Sequence, residues 1–154
     1  MRRRERRLAG WLCILAGVVA CAQTPEVAGG EAEVAALFDQ WDAALRTGDP
    51  DTVVALYAED AVLLPTLSGR VRVGPEGIRD YFVHFLEKQP AGVITESHLR
   101  RFGDLAIRSG LYTFTLTDPD GIVREVDARF TFVYRLQDGR WRIVEHHSSL
   151  RPES

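Results

Sequence analysis

The stretch IVREVDARFTFVYR, residues 122–135, alternates between side chains suited to a core and side chains suited to water, and RWRIVEHHSS, residues 140–149, continues the pattern. Because successive side chains of a strand point to opposite faces, this period of two predicts long strands with one buried face. Residues 93–102 and 104–117 alternate in the same way. In chain order, a short turn that contains glycine separates each of these four segments from the next. The sequence therefore predicts a four-strand antiparallel meander.

The chain before the meander is predicted to be mainly helical. Apolar residues recur at helical spacing over 31–47, and a short second helix follows with Asp49 as its N-cap. Weak strands at 61–65 and 71–73 precede a third, amphipathic helix at 76–89. The predicted fold is an α+β cone, in which three N-terminal helices pack against a strongly curved, mainly antiparallel sheet that ends in the meander.

The first twenty residues have the pattern of an export signal. Five arginines precede an apolar run at 8–20, and a thirteen-residue helix is too short to cross a bilayer permanently. The residues VVAC, ending at Cys21, resemble the lipobox of bacterial lipoproteins, which implies acylation of that cysteine. The expected location is then the periplasmic face of a bacterial membrane. Ordinary signal cleavage just after Cys21 and its small neighbours would instead release a soluble periplasmic or secreted domain.

These signals divide the chain into a signal peptide at 1–20, a tether at 21–30 and one domain at 31–153. The tether consists mainly of small and polar residues and contains a proline and paired glycines, so we expect it to be flexible. The whole chain has 19 basic and 22 acidic residues, and loss of the signal removes five arginines and one glutamate, which leaves 14 against 21. A net charge of −7 is unsuited to nucleic acid or anionic lipid, so membrane contact is expected only through the lipid.

No cofactor is predicted. The sequence has no cysteine and histidine cluster with the spacing of a zinc site, and no glycine-rich dinucleotide motif follows a predicted strand. We therefore expect neither a metal nor a bound coenzyme.

Several strings resemble the nuclear-transport-factor-2-like (SnoaL-like) superfamily of curved-sheet cones: LYAEDAV at 56–62, DGRWRIV at 138–144, LPTLS at 64–68, RDYF at 79–82, ARFTFVY at 128–134 and HHSS at 146–149. Together they most resemble bacterial stand-alone relatives of the calcium/calmodulin-dependent protein kinase association domain. The resemblance covers about 31–153. It implies self-association through the outer face of the sheet, as a dimer or a larger ring. It does not imply kinase activity, because the chain has no phosphate-binding glycine loop and no His-Arg-Asp string.

The paired histidines are the most conspicuous polar feature of the last strand. Since neighbours on a strand point to opposite faces, at most one of His146 and His147 enters the cavity. If Trp141 and Ile143 face inward, the period of two places His147 and Ser149 inside, whereas a bulge reverses the choice. We expect His147 at the cavity mouth, as a hydrogen-bonding or general acid–base residue. The alternative is a structural histidine that caps the core.

Arg129 lies in an otherwise apolar strand, so it is either on the outer face of the sheet or buried with a partner. In the second case it binds an anion, with Thr131 on the same face. The remaining candidate ligand-binding residues are hydroxyl-bearing and are predicted at the cavity wall, although core packing alone explains the tyrosines: Tyr57, Thr66, Tyr81 and Tyr112.

Three functions fit these observations. The first is a lipid-anchored, self-associating protein that binds a small molecule, bearing a carboxylate or combining apolar and polar parts, between Arg129, His147 and the tyrosines. The second is a structural self-association module of the envelope. The third is a cofactor-free lyase or isomerase of the ketosteroid-isomerase-like kind, with His147 as base, so the sequence leaves enzymatic activity open.

Overall fold

The computed structural model describes residues 30–153, so the predicted signal, Cys21 and nearly all of the predicted tether lie outside the described residues. The elements run α1 (Glu31–Arg46), α2 (Pro50–Val54), β1 (Tyr57–Leu64), β2 (Arg72–Val73), α3 (Gly74–Phe85), a 3-10 turn (Leu86–Lys88), β3 (Ala91–Phe102), β4 (Leu105–Thr117), β5 (Val123–Gln137) and β6 (Arg140–Leu150).

The strands form one curved sheet in the order β2-β1-β6-β5-β4-β3. Strand β1 is parallel to β6, and every other neighbouring pair is antiparallel. Helices α1 and α3 pack against this sheet as predicted, and strands β3 to β6 form the predicted meander. The predicted α+β cone is confirmed.

The predicted boundaries differ most between the second helix and the first strand. The sequence predicts a strand from residue 61, but β1 begins at Tyr57. The carbonyl oxygen of Leu56 accepts a hydrogen bond of 2.9 Å from the backbone N–H of Ile143, so the chain here already lies against β6. A partner distant in sequence therefore ends the helix early, and local periodicity cannot show that partner.

The concave face of the sheet and the apolar side of α1 form a core rich in aromatic rings. Phe38 of α1 contacts the rings of Tyr112 on β4 and of Phe130 and Phe132 on β5. Trp41, one turn further along α1, packs edge-on against Phe132 at 5.3 Å between ring centroids. These contacts give α1 one defined position inside the cone, since bulky rings interdigitate in few ways.

Strand β6 contains a bulge that reverses the facing of its last residues. Tyr134 pairs with Ile143, but the preceding Val133 pairs with Glu145, so Val144 has no opposite residue on β5. One extra residue shifts the alternation by one position. Strand residues before the bulge keep the predicted facing, and residues after it exchange faces.

A second bulge lies on β3, where the register shifts between Ile94 and Glu96. Gly110 of β4 is next to it, opposite Ser97. A Cβ atom on Gly110 would lie 1.9 Å from the carbonyl oxygen of Glu96, far inside van der Waals contact. The absence of a side chain at Gly110 therefore permits the close approach of the two strands where the sheet bends.

Candidate functional site

A small cavity lies between the concave face of the sheet, α1 and α3. Its volume is about 30 Å³, room for about two water molecules. Most of its wall is aromatic or aliphatic, and its polar groups come from β6, from the loop after β1 and from tyrosine hydroxyls of α3 and β4. The aromatic and polar wall residues include Trp41, Tyr81, Phe82, Tyr112, Thr66, His146 and Ser148.

A chain of two hydrogen bonds joins Trp41, Tyr57 and His146. Trp41 Nε1 donates to the hydroxyl oxygen of Tyr57 at 3.1 Å, and that hydroxyl lies 2.9 Å from Nδ1 of His146. An indole N–H can only donate, so the Tyr57 oxygen accepts from Trp41, and a phenol oxygen could accept a second hydrogen bond as well. Among residues 30–153, however, the Tyr57 hydroxyl contacts no acceptor other than Nδ1, so we assign its own hydrogen to the bond with Nδ1. Nδ1 of His146 is therefore the acceptor, and the ring proton lies on Nε2.

The surroundings of His146 keep its ring uncharged. The residue is 3% exposed and stacks on Phe132 at 4.0 Å between ring centroids. Burial lowers the pKa of His146 to about 3, and the neighbouring His147 lowers it further by a smaller effect. Nε2 is buried and has no hydrogen-bond partner within residues 30–153. The imidazole is thus neutral at pH 7 and has one unused donor.

A second polar group in the wall consists of hydroxyls. Tyr112 donates to Oγ of Ser148, and Oγ1 of Thr66 contacts the same oxygen. Burial raises the pKa of Tyr112 above its ordinary value, so its phenol is protonated at neutral pH. Ser148 follows His146 by two residues and therefore shares its face of β6.

The structure divides the predicted site residues into two groups. Thr66, Tyr81 and Tyr112 line the cavity, and Tyr57 lies directly behind the cavity wall through its bond to His146.

The other four predicted site residues lie on the outer, convex face. Across the paired strands Arg129 is opposite Ser149 and Thr131 is opposite His147, and the side chains of Arg129 and His147 are exposed. The predicted orientation of His147 toward the cavity is therefore wrong, because the bulge at Val144 exchanges the faces. The same bulge turns Ser149 outward, and Arg129 takes the solvent-exposed alternative.

Sequence reasoning missed His146 and Ser148 as cavity residues and treated Trp41 as core alone. The only local sign of the bulge is the pair Ile143-Val144, two adjacent β-branched residues that interrupt the alternation. Such a pair is also common in ordinary strands, so the sign is weak. The position of Trp41 beside Tyr57 depends on how α1 crosses the sheet, which no strand pattern encodes.

Two further observations concern metal binding and membrane crossing. Across residues 30–153, no group of three or more His, Cys, Asp or Glu side chains is placed to hold a metal ion. No helix in the same range has both the length and the apolar character needed to cross a membrane.

Comparison with known proteins relates this geometry to a family. The family model for the calcium/calmodulin dependent protein kinase II association domain matches residues 30–152. A solved structure of a candidate domain of this kind from Xanthomonas campestris is 53% identical, covers 86% of this chain and 95% of its own, and superimposes with a TM-score of 0.79. No curated protein matches the chain.

More distant structures show the fold alone. An NTF2-like protein of unknown function from Pseudomonas putida is 21% identical over 80% of this chain and 87% of its own, with a TM-score of 0.67. A candidate dehydratase of the NTF2-like family from Streptomyces avermitilis is 16% identical over 78% of this chain and 95% of its own, with a TM-score of 0.69. The family model and the Xanthomonas structure confirm the resemblance: the chain belongs to the calcium/calmodulin dependent protein kinase II association domain family.

Proposed function

We propose that this protein binds a small molecule in the cavity of its cone and self-associates through its sheet. The observation that carries the first part is that His146 lines the cavity and that its Nε2 atom is buried without a partner in the described part of the chain. Leaving a buried donor unpaired costs roughly 1–3 kcal/mol. Such groups are usually satisfied by water or by a ligand. An aromatic cavity with a few converging polar groups is the usual form of a small-molecule site.

The size of the cavity restricts the ligand. A volume of about 30 Å³ is far below the roughly 300–1,000 Å³ of sites for drug-sized molecules. Leu67 lines the cavity and is nevertheless 47% exposed, so it lies at the opening. The ligand therefore has few non-hydrogen atoms, unless Leu67 and its loop move outward to admit a larger one.

The geometry favours binding over general-base catalysis. A general base works best when its pKa lies near the operating pH. Burial lowers the pKa of His146 to about 3, and its Nδ1 is already occupied by Tyr57. His147, the residue first expected to act as base, is on the outer face. The lyase or isomerase alternative therefore has less support than ligand binding.

Mass spectrometry of protein expressed from residue 1 in a bacterial host tests the binding proposal. In the native spectrum we expect an added mass that disappears on denaturation. Ala128→Val adds two methyl groups to a buried wall residue, so we expect it to abolish the added mass. Thr131→Val, on the outer face, is the matched control and should retain it. An added mass that persists in Ala128→Val would place the ligand elsewhere, and a native mass equal to the denatured mass would contradict binding.

We also propose export and lipid anchoring at Cys21, supported by the arginine-rich start, the apolar run at 8–20 and the VVAC string. The denatured sample of the same experiment is informative here. A chain that starts at Cys21 and bears covalent acyl mass agrees with a lipoprotein. A chain without acyl mass that starts near residue 22 or 23 would support ordinary cleavage and a soluble protein.

The second part of the proposal is a homo-oligomer formed by the outer face of the sheet, as the association-domain family suggests. Ile107 of β4 and Val133 of β5 are paired across the strands there, and both are half-buried in the isolated chain. Arg100 of β3 is opposite Ile107 and Glu145 of β6 is opposite Val133, so charged residues border this apolar pair. An apolar centre with a polar rim is the usual composition of a protein interface.

Val133→Lys is expected to convert the oligomer to a monomer, because it places a charge in the apolar centre of the interface. The new lysine lies opposite Glu145, so the fold itself should tolerate it. Val83→Lys, at an exposed position of α3, is the matched control and should leave the assembly unchanged. Sedimentation velocity with circular dichroism measures both. An unchanged sedimentation coefficient in Val133→Lys would exclude this face as the interface.

A further inference from the structure

The hydrogen bonds behind His146 determine what the cavity offers to a ligand. We propose that the site selects a small, uncharged molecule that presents a hydrogen-bond acceptor, such as the carbonyl oxygen of a ketone or aldehyde, to the Nε2–H of His146. This inference rests on the proposed function, because it names the ligand class of the same cavity.

The first step is the direction of the hydrogen bonds. Trp41 can only donate to Tyr57, and the Tyr57 hydroxyl has no acceptor other than Nδ1 among the described residues, so it donates to Nδ1 and the neutral ring holds its proton on Nε2. Nδ1 and Nε2 lie on different sides of the ring. His146 lines the cavity whereas Tyr57 does not, so we infer that the Nε2 edge, away from Tyr57, is directed toward the cavity. The site therefore presents a donor, which requires an acceptor on the ligand.

The second step is the absence of charge. Among the described residues that line the cavity, none is Asp, Glu, Lys or Arg, and burial keeps His146 itself neutral. Arg129, the arginine first considered as a partner for a carboxylate, lies on the opposite face of the sheet. A buried carboxylate or ammonium without a counter-charge is strongly disfavoured. A neutral ligand is therefore preferred over an ionised one.

The third step is the shape of the wall. Apart from the His146 donor, the wall offers only hydroxyl groups, those of Thr66, Tyr81, Tyr112 and Ser148. Thr66 and Tyr112 both contact Oγ of Ser148. Hydroxyls both donate and accept, so they do not require a charge on the ligand. The remaining wall is largely aromatic and favours an apolar body. The ligand class is thus a compact apolar molecule with one carbonyl-type oxygen.

Three small planar probes test this class: acetone, 2-methylpropene and acetate. Each has four non-hydrogen atoms, and they differ in the group offered to Nε2–H, which is a neutral acceptor, no acceptor or an anion. Titrations followed by 1H–15N NMR of the protein give the three dissociation constants. We expect acetone to bind about ten-fold more tightly than 2-methylpropene, because the hydrocarbon leaves the buried donor unpaired. Acetate should give no saturable shift of cavity residues.

Long-range 1H–15N spectra of the imidazole provide a readout independent of ligand affinity. They should show the proton on Nε2 of His146 and a change in its chemical shift when acetone is added. His146→Phe removes the Nε2–H donor and keeps a planar ring, so it should reduce the preference for acetone over 2-methylpropene to near unity. His147→Gln, on the outer face, is the control and should leave the preference unchanged.

The possible results separate this inference from the proposed function. Equal affinity for acetone and 2-methylpropene, tightest binding of acetate, or a proton found on Nδ1 would each overturn the ligand class while cavity binding stands. No saturable shift with any of the three probes would overturn the ligand class and contradict cavity binding as well.

Discussion

Gly110→Ala is expected to lower the free energy of unfolding by more than about 4 kcal/mol, or to prevent folding, which places it among exceptional single substitutions. The new Cβ would lie 1.9 Å from the carbonyl oxygen of Glu96 and 2.8 Å from Cα of Ser97. Both are backbone atoms of the neighbouring strand, so no side-chain rotation relieves the contact. Strands β3 and β4 must separate where the sheet bends, and the wall of the cone opens.

Urea denaturation followed by circular dichroism measures this effect. Gly69→Ala is the matched control, because a Cβ at Gly69 meets nothing within 4 Å. We expect its free energy of unfolding to stay within about 0.5 kcal/mol of the original protein. A Gly110→Ala protein that unfolds at the same urea concentration as the Gly69→Ala protein would show that the two strands can separate without loss of the fold.

Lowering the pH from 7 to 5 is expected to remove about 2 kcal/mol of the free energy of unfolding through His146 alone. In the unfolded chain this histidine has the ordinary pKa of 6.5, and burial lowers its pKa in the folded protein to about 3. The unfolded state therefore binds more protons between these two values. The stabilisation is complete above pH 6.5 and is lost as the pH falls toward 3.

Comparison of variants isolates this contribution from that of the carboxylates. His146→Gln does not titrate, so its stability should fall by about 2 kcal/mol less than that of the original protein between pH 7 and pH 5. His147→Gln, at an exposed position, should retain nearly the full loss. Direct NMR titration of the original protein gives a second measurement, in which the His146 resonances should not titrate above pH 5. A His146 resonance that titrates near pH 6.5 would contradict the buried, neutral state.

Much of the fold was predictable because strands and helices repeat with different periods. The four meander strands were predicted to within two residues at each end, since the period of two and the glycine-containing turns between the segments mark their ends. The boundary between α2 and β1 was not predictable from periodicity. It depends on the hydrogen bond from Ile143 to Leu56, whose partners are 87 residues apart.

The candidate site was predictable only in part, because one unpaired residue, Val144, shifts the alternation along β6. Thr66, Tyr81 and Tyr112 were expected at the cavity wall and lie there. His147 and Ser149 were expected to face inward with Trp141 and Ile143, and the bulge at Val144 turned them outward. A period-two argument is valid only while the ladder is regular, so a single unpaired residue exchanges every later assignment.

The sequence by itself determined the class of the domain, because alternating and helical apolar patterns set which faces must be buried. It also determined that at most one of two adjacent histidines enters the cone, since neighbouring strand residues point to opposite faces. Only the tertiary structure decided that the residue is His146, because the bulge arises from pairing between β5 and β6. The structure also decided the tautomer of that ring, since Trp41, Tyr57 and His146 are distant in sequence and the order of donors along them exists only after α1 packs into the cone.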